Sequence, residues 1–341
     1  MRISKIFLPL LFLGGAALLA AMIWQVGLQS LFESFQSMGV WLVPYMILKG
    51  VRIVMHTVAW RSCFPGNCLH VPFWHLLLVS RAGGAINQVT PSASVGGEVV
   101  KVLLLESHLP REQASAIVII NKASSTIAKM LYLTLGMFYL TQRLPLPIEL
   151  YLSLTLTIGL ITLGLIGFVA FQRYGLFSRL LGCLGRFRFG QKRIQRLRKH
   201  LMPIEAQLVA YYTHYGWRFV RSIGMHFVAD AFSVVKIYVL LRLLLASNAP
   251  SFADAVTVAV AVAALDQMFF FVPGRLGTLE GARFMVLSLL GIAQVYGLTF
   301  GIVARLEQLF WSGVGFLAYG IYTRYVVPGM VQQPVKASLS S

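Results

Sequence analysis

Two polar motifs with the same spacing interrupt the apolar sequence. Residues 91–101 read PSASVGGEVVK, and residues 273–283 read PGRLGTLEGAR. Each motif begins with a proline, places a glutamate seven residues later and a lysine or arginine three residues after that. An acid and a base one helical turn apart can form an ion pair or bind a charged guest. Because a charge at bilayer depth costs about 2.5–3.5 kcal/mol on insertion scales, two such motifs indicate a polar site inside a membrane protein.

Basic residues outnumber acids in the apolar parts of the sequence. Five of the eleven acids fall there, namely Glu98, Asp230, Asp266, Glu280 and Glu307. The basic residues at or near membrane depth are Lys49, Arg52, Lys122, Lys129, Lys236, Arg275 and Arg305. This surplus favours an anionic guest such as a phosphate headgroup. Helix N-termini near Gly97 and Thr278 would add their own positive ends.

The charges of the two motifs have two interpretations, which the sequence leaves open. Glu98 with Lys101, and Glu280 with Arg283, can be neutralised packing pairs within short helices. They can also line a substrate site. The residues that we predict to bind the substrate are Asn87, Pro91, Gly96, Gly97, Glu98, Lys101, Lys122, Asp230, Pro273, Gly277, Glu280, Arg283 and Arg305.

Three predicted helices carry a polar face, and we expect these faces to point into the protein. Residues three, four or seven positions apart lie on the same side of a helix. The three faces consist of Lys49, Arg52 and His56, of Lys122, Ser125 and Lys129, and of Arg305, Gln308, Ser312, Gly315 and Tyr319.

The sequence lacks the common signatures of catalysis. It has no Gly-x-Ser-x-Gly, no phosphate-binding loop, no paired CxxC and no Asp-rich prenyl-diphosphate motif. His226 and Asp230 are four residues apart, a spacing that can hold a metal, but no third ligand stands out. We therefore expect neither an enzyme, nor a metal, nor a cofactor.

Composition sets the class of protein that must position these residues. The 341-residue chain is 57% hydrophobic and 12% charged, its mean hydropathy is +0.75, and several apolar runs reach the roughly 20 residues that cross a bilayer. These values predict an all-α polytopic membrane protein. The net charge of +18 does not indicate nucleic acid, because nine of the basic residues lie together between Arg173 and Lys199. Such a segment is typical of a cytoplasmic loop that contacts anionic lipid.

Hydropathy predicts about six full spans and two re-entrant hairpins, which would show as eight or so hydropathy peaks. The spans are expected at about 5–24, 40–60, 113–141, 148–171, 217–246 and 298–325, and the hairpins at about 73–108 and 252–292. Irregular backbone at membrane depth is tolerated where it lines a cavity, so each hairpin would carry one motif at its tip. Opposite orientations would make an inverted repeat with a central substrate site.

This topology predicts a single transmembrane domain at residues 1–327, with a basic cytoplasmic loop at 172–203. Residues 328–341 are expected to form a disordered tail. Because positive loops stay inside, both termini would be cytoplasmic. We expect the protein in the bacterial inner membrane.

At these motifs the chain resembles the transmembrane part of lysylphosphatidylglycerol synthases and related stand-alone flippase-like proteins, including members associated with hopanoid biosynthesis. The resemblance covers about residues 5–325. The matching stretches are Trp60-Arg61, residues 87–98 with Lys101, residues 272–281 and residues 305–313. The resemblance implies movement of lipid between leaflets. We expect the soluble aminoacyl-transfer domain of the synthases to be absent and their aminoacylation activity not to carry over.

The leading interpretation is a flippase or transporter for an anionic or polar lipid, with a central polar cavity gated by the two hairpins. One alternative is an integral-membrane enzyme that acts on a polyprenyl or hopanoid lipid and uses the carboxylates as acid and base. Another is a non-catalytic partner that recruits lipid-modifying enzymes through the basic loop.

Overall fold

The computed structural model describes residues 38–89, 96–143, 148–175, 191–245, 250–268 and 277–326, with a few isolated positions before residue 38. The first expected span at 5–24, the motif prolines Pro91 and Pro273, and the expected tail at 328–341 lie outside the described residues. The limits of the single domain, 1–327, stay a prediction.

The described residues form ten helices and contain no strand. The helices are α1 (Leu42–Arg61), α2 (Phe73–Val89), α3 (Gly96–Leu105), α4 (Arg111–Arg143), α5 (Ile148–Arg173), α6 (Gln191–His214), α7 (Gly216–Leu244), α8 (Phe252–Met268), α9 (Thr278–Leu289) and α10 (Gln294–Ile321). A π-helical turn, Tyr322–Val326, continues α10. The all-α prediction is confirmed, and five of the six expected spans coincide with α1, α4, α5, α7 and α10.

Several helices have the length that a bilayer requires. Within the described part of the chain, the helical segments Gly39–Arg61, Arg111–Arg143 and Thr155–Arg173 are long and apolar enough to cross a membrane. Helices α7 and α10 contain 29 and 28 residues, more than the roughly 20 needed to span a bilayer. Both carry charged residues along their length.

Three of the long helices have a charged residue at or beside their midpoint. Asp230 is the middle residue of α7, Glu307 and Gln308 are the middle pair of α10, and Arg52 belongs to the middle pair of α1. Helix α7 packs on both α1 and α10, and side chains of α1 and α10 also hydrogen-bond each other, so these midpoints form a polar layer across three neighbouring helices.

Two apolar cores flank the polar layer. In α1, Tyr45 belongs to one buried cluster and Trp60 to another. In α7, Leu240 and Phe219 are divided between the same two clusters. The polar layer is thus enclosed within the protein, where its groups must find partners because unpaired buried polar groups are costly.

Two helical hairpins connect α4 with α10. In the first hairpin, α2 and α3 pack on each other, while α2 contacts α10 and α3 contacts α4. In the second, α8 and α9 pack on each other, while α9 contacts α10 and α8 contacts α4. The two hairpins therefore use the same pair of long helices.

The first hairpin depends on a close approach of its two helices. A Cβ atom on Gly97 would overlap the carbonyl oxygen of Gly83 and the side chain of Asn87, so only glycine fits at this crossing. The Asn87 Oδ1 atom accepts a hydrogen bond of 2.7 Å from the Gly97 amide. Asn87 lies in the last turn of α2, because that helix continues to Val89.

The basic segment contains a helix that the sequence analysis did not predict. Residues 172–203 were expected to form a loop, but α6 begins at Gln191; residues 176–190 lie outside the described part. The second half of α6 places Leu208 and Tyr211 in a buried cluster. The prediction of a loop was wrong here because dense charge hides the amphipathic pattern in a hydropathy average.

Candidate functional site

Two polar cavities adjoin each other in the middle of the helical bundle. Their volumes are about 340 and 330 Å³. Lys49, Arg52, Gln88 and Gln308 line both cavities and therefore form the boundary between them. Across this boundary, Gln308 Nε2 donates a hydrogen bond of 2.5 Å to Gln88 Oε1. The cavity that borders α3 is called the first cavity, and the one that borders α8 and α9 is called the second cavity.

Basic side chains predominate in both cavities. Their described lining contains eight lysines and arginines but three carboxylates. The basic residues are Lys49, Arg52, Arg81, Lys101, Lys122, Lys129, Lys236 and Arg283, and the acids are Glu98, Asp266 and Glu307. This difference makes the cavities suitable for an anion.

The predicted polar faces of α1, α4 and α10 all reach these cavities. The lining residues from these faces are Lys49, Arg52, His56, Lys122, Ser125, Lys129, Gln308 and Ser312. Gly315, also predicted in the α10 seam, serves packing instead, because a Cβ atom there would lie 2.5 Å from the Arg81 carbonyl oxygen on α2.

In the first cavity, Glu98 forms the predicted pair with Lys101. The Lys101 Nζ atom lies 3.0 Å from Glu98 Oε2 and 5.5 Å from the centre of the Trp60 ring. Lys122 approaches the same carboxylate at 3.9 Å. Two lysines thus share one acid, which leaves this region positive.

In the second cavity, the carboxylates are also held by basic side chains. Lys236 Nζ lies 2.7 Å from Glu307 Oε2, and the Tyr45 hydroxyl donates to the same carboxylate at 3.4 Å. Arg283 pairs with Asp266 at 3.3 Å. Each acid in this lining therefore has a fixed basic partner.

Asp230 supports two cations of the lining from behind, Arg52 on the boundary and Lys129 in the second cavity. Its Oδ1 atom accepts hydrogen bonds from Arg52 Nη2 at 2.5 Å and from Lys129 Nζ at 2.7 Å. The carboxylate is 2% exposed and is not among the described lining residues. Its contacts assign Asp230 to the positioning of Arg52 and Lys129; whether it also binds substrate stays a prediction.

Two cations of the lining have no hydrogen bond or ion pair within the described part of the chain. They are Lys49, on the boundary, and Arg81, whose Nε atom is buried without a partner. Arg81 is not among the residues that we predicted from the sequence. The signal that could have identified it is its position, because this arginine interrupts the otherwise apolar stretch of α2.

The glutamate of the second motif has a different partner from the predicted one. Arg305 of α10 donates to both oxygens of Glu280, with Nε–Oε1 at 2.7 Å and Nη2–Oε2 at 3.2 Å. Arg283 instead reaches Asp266 and donates to the Leu279 carbonyl oxygen. The predicted Glu280–Arg283 pair is therefore wrong, because Glu280 points towards α10 while Arg283 points towards α8.

The Glu280–Arg305 pair does not belong to the lining of the two cavities, although Arg305 Nη1 donates to Gln308 Oε1 on their boundary at 3.3 Å. Glu280 is 0% exposed, and neither residue is among the described lining. The expectation that both contact a headgroup has no support from this placement.

The predicted glycines lie at the starts of the two short helices. Gly277, directly before α9, adopts φ +74°, a left-handed conformation that favours glycine. Gly96 and Gly97 begin α3, where the Gly97 amide is already bound by Asn87.

A pair of histidines lies against the first cavity. The Nδ1 atoms of His56 and His226 are 2.8 Å apart, and His226 Nε2 lies 3.1 Å from Asn121 Oδ1. In the described residues, no group of three potential ligands is arranged to hold a metal ion.

An apolar groove of about 1100 Å³ lies beside the first cavity and is lined by α1, α7 and α10. Trp311 belongs to the lining of both the groove and the first cavity. Its ring therefore separates a polar space from an apolar one.

Fold and cavities together define a class: an all-helical membrane protein with a cation-rich polar layer halfway along its long helices. The family model described as lysylphosphatidylglycerol synthase TM region matches residues 6–315. The chain belongs to this family, as the resemblance of its motifs predicted, and is an all-α polytopic membrane protein involved in lipid handling. No curated protein and no solved structure matches the chain.

Proposed function

We propose that the protein is a flippase of the bacterial inner membrane that moves an anionic or polar lipid between the two leaflets. The proposal rests mainly on the excess of cations halfway along the long helices. Counting Asp230 with the three acids of the described lining, eight basic side chains face four carboxylates. Since charge at this depth is costly, an uncompensated excess favours a negatively charged guest.

The size of the cavities supports a headgroup as that guest. Small-molecule sites span about 300–1,000 Å³, and each cavity is at the lower end of this range. Such a volume suits a phosphate-bearing headgroup, while the acyl chains stay in apolar surroundings. Two adjoining cavities would provide two successive positions for the headgroup, with Lys49 and Arg52 contacting it in both.

The two hairpins would act as gates from opposite membrane faces. We propose that α2–α3 and α8–α9 are re-entrant and form an inverted repeat, because each hairpin bridges α4 and α10. In this topology the basic segment 172–203 and both termini are cytoplasmic.

The ion pairs of the acidic residues in the lining favour transport over catalysis. Glu98, Asp266 and Glu307 are each held by a lysine or arginine at 2.7–3.3 Å. The oxygens of each carboxylate are therefore already engaged by a cation of the same lining. These residues therefore suit the fixing of cations better than acid–base chemistry.

Leaflet exchange of a panel of fluorescent lipids in proteoliposomes tests the proposal. Lys49→Gln and Arg81→Gln each remove a lining cation that has no ion pair within the described residues, and each is expected to slow exchange of the preferred lipid about tenfold, which corresponds to roughly 1.4 kcal/mol. Lys199→Gln is the matched control, because Lys199 is exposed on α6 away from the cavities.

Equal rates of lipid exchange in wild type and in all three variants would contradict the proposed headgroup site. No exchange of any lipid by folded wild-type protein would contradict the flippase itself. In that case, a chemically modified lipid found by mass spectrometry would favour an enzyme. Loss of cellular activity on neutralising residues 186–199 alone would favour a partner of lipid-modifying enzymes.

A further inference from the structure

The hydrogen bonds of the histidine pair determine where its protons lie. A distance of 2.8 Å between the two Nδ1 atoms requires a single hydrogen between His56 and His226. Because His226 Nε2 donates to Asn121 Oδ1, neutral His226 has its hydrogen on Nε2 and accepts at Nδ1. His56 is therefore the donor within the pair.

The second nitrogen of His56 faces a buried carboxylate. His56 Nε2 lies 3.6 Å from Oδ1 of Asp230. In neutral His56 this nitrogen directs a lone pair towards the negatively charged oxygen. A proton on Nε2 converts the contact into an imidazolium–carboxylate pair and preserves the hydrogen bonds to His226 and Asn121. The geometry thus contains a binding position for one additional proton.

Charges from the surrounding helices oppose protonation while the first cavity is empty. The groups that line this cavity or face His56 itself are Lys49 and Arg52 on α1, Arg81 on α2, Glu98 and Lys101 on α3, Lys122 and Lys129 on α4, His226 and Asp230 on α7 and the neutral Gln308 on α10. The single charge of Asp230 is already shared by Arg52 and Lys129. A further positive charge therefore enters a region that is positive overall, where like charges repel.

We propose that His56 takes up a proton when an anion occupies the first cavity, so that a lipid headgroup and a proton bind together. The inference rests on the proposed function, since the anion is the headgroup of the lipid. A negative charge beside His56, Lys49 and Arg81 cancels the repulsion. By linkage, proton and anion then strengthen each other's binding. The proton comes from water, resides on Nε2 and leaves with the headgroup, which makes H⁺ the coupling ion for lipid movement.

The test is proton uptake on binding, measured by titration calorimetry of the detergent-solubilised full chain in buffers of different ionisation enthalpy. The probe is a short-chain phosphatidylglycerol, whose phosphodiester does not titrate near neutral pH. Wild type is expected to take up about one proton per bound lipid. His56→Gln should bind with no uptake.

His226→Gln provides a matched control at the other ring of the pair. A glutamine amide can donate to Asn121 and accept from His56, so proton uptake is expected to persist in this variant. A merely structural role of the pair would instead affect both variants alike.

Binding without proton uptake in wild type overturns the inference, as does equal uptake by wild type and His56→Gln. No binding of the probe by folded wild type contradicts the proposed function itself. A second measurement needs no variant: wild-type affinity for the probe should fall as pH rises through neutrality. A pH-independent affinity would also overturn the inference.

Discussion

The indole ring of Trp311 lies against Gly50 and closes the first cavity on the side of the apolar groove. A Cβ atom on Gly50 would lie 3.0 Å from two atoms of this ring, and Trp311 Nε1 donates to the Met46 carbonyl oxygen at 3.3 Å. Trp311 is thus held on α1 at the point where the polar first cavity meets the apolar groove.

Replacing Trp311 with alanine is expected to open the first cavity to the groove. The measurement is the labelling rate of Ser312→Cys by a bilayer-soluble maleimide, in a background without the three native cysteines. Ser312 lines the first cavity, so faster labelling reports the opening. Val228→Ala, which enlarges the groove on α7 and leaves the wall intact, should not change the rate. An unchanged rate in Trp311→Ala would contradict the role of this wall.

Glu280→Gln is expected to lower the free energy of unfolding by about 3–5 kcal/mol, because it removes the fully buried carboxylate that pairs with Arg305. Denaturation in mixed micelles measures this loss. Replacing both Glu280 and Arg305 with methionine should restore most of the lost free energy of unfolding. Glu98→Gln should cost less, because the Glu98 side chain is 16% exposed and faces a cavity. Equal losses in the two single variants would show that both glutamates serve the same role.

His108 is expected to make stability depend on pH. It lies in the turn between α3 and α4, and burial lowers its pKa from 6.5 to about 4, with repulsion from His75 and His70 adding to the effect. Between these two values the unfolded chain binds a proton that the folded protein does not. Stability should therefore fall as pH drops from about 6.5 to 4.

Unfolding midpoints across this pH range measure the effect. His108→Asn should weaken the pH dependence, whereas His214→Asn, at an exposed position on α6, should retain it. The same slope in His108→Asn and wild type would assign the pH dependence to other groups.

Gly97→Ala is expected to disrupt the first hairpin. Its Cβ atom would overlap the Gly83 carbonyl oxygen, which is backbone and cannot move aside without shifting α2. Overpacking of this kind costs about 1–3 kcal/mol or more. A lower melting temperature and loss of monodisperse protein on size exclusion are the expected readouts. Gly159→Ala, where nothing lies within 4 Å of the new methyl group, should behave as wild type.

The sequence by itself determined the class of protein, the positions of most helices and the presence of a polar layer. Hydropathy and helical period are local properties, and so is the i, i+3 pairing of Glu98 with Lys101. The polar face of α1 followed from the spacing of Lys49, Arg52 and His56. Family membership followed from the two motifs, and the match over residues 6–315 confirmed it.

Only the tertiary structure decided which charges meet. Glu280 pairs with Arg305, 25 residues away, and Asp230 with Arg52, 178 residues away. The division into two cavities, and the lack of a partner for Arg81 Nε among the residues that the structure describes, also depend on how the helices are rotated against one another. Helix rotation is set by side-chain packing between distant segments, and close contacts such as that of Gly97 with α2 fix it. A hydropathy pattern records that a charge is buried, but its partner is chosen by the packing of the whole bundle.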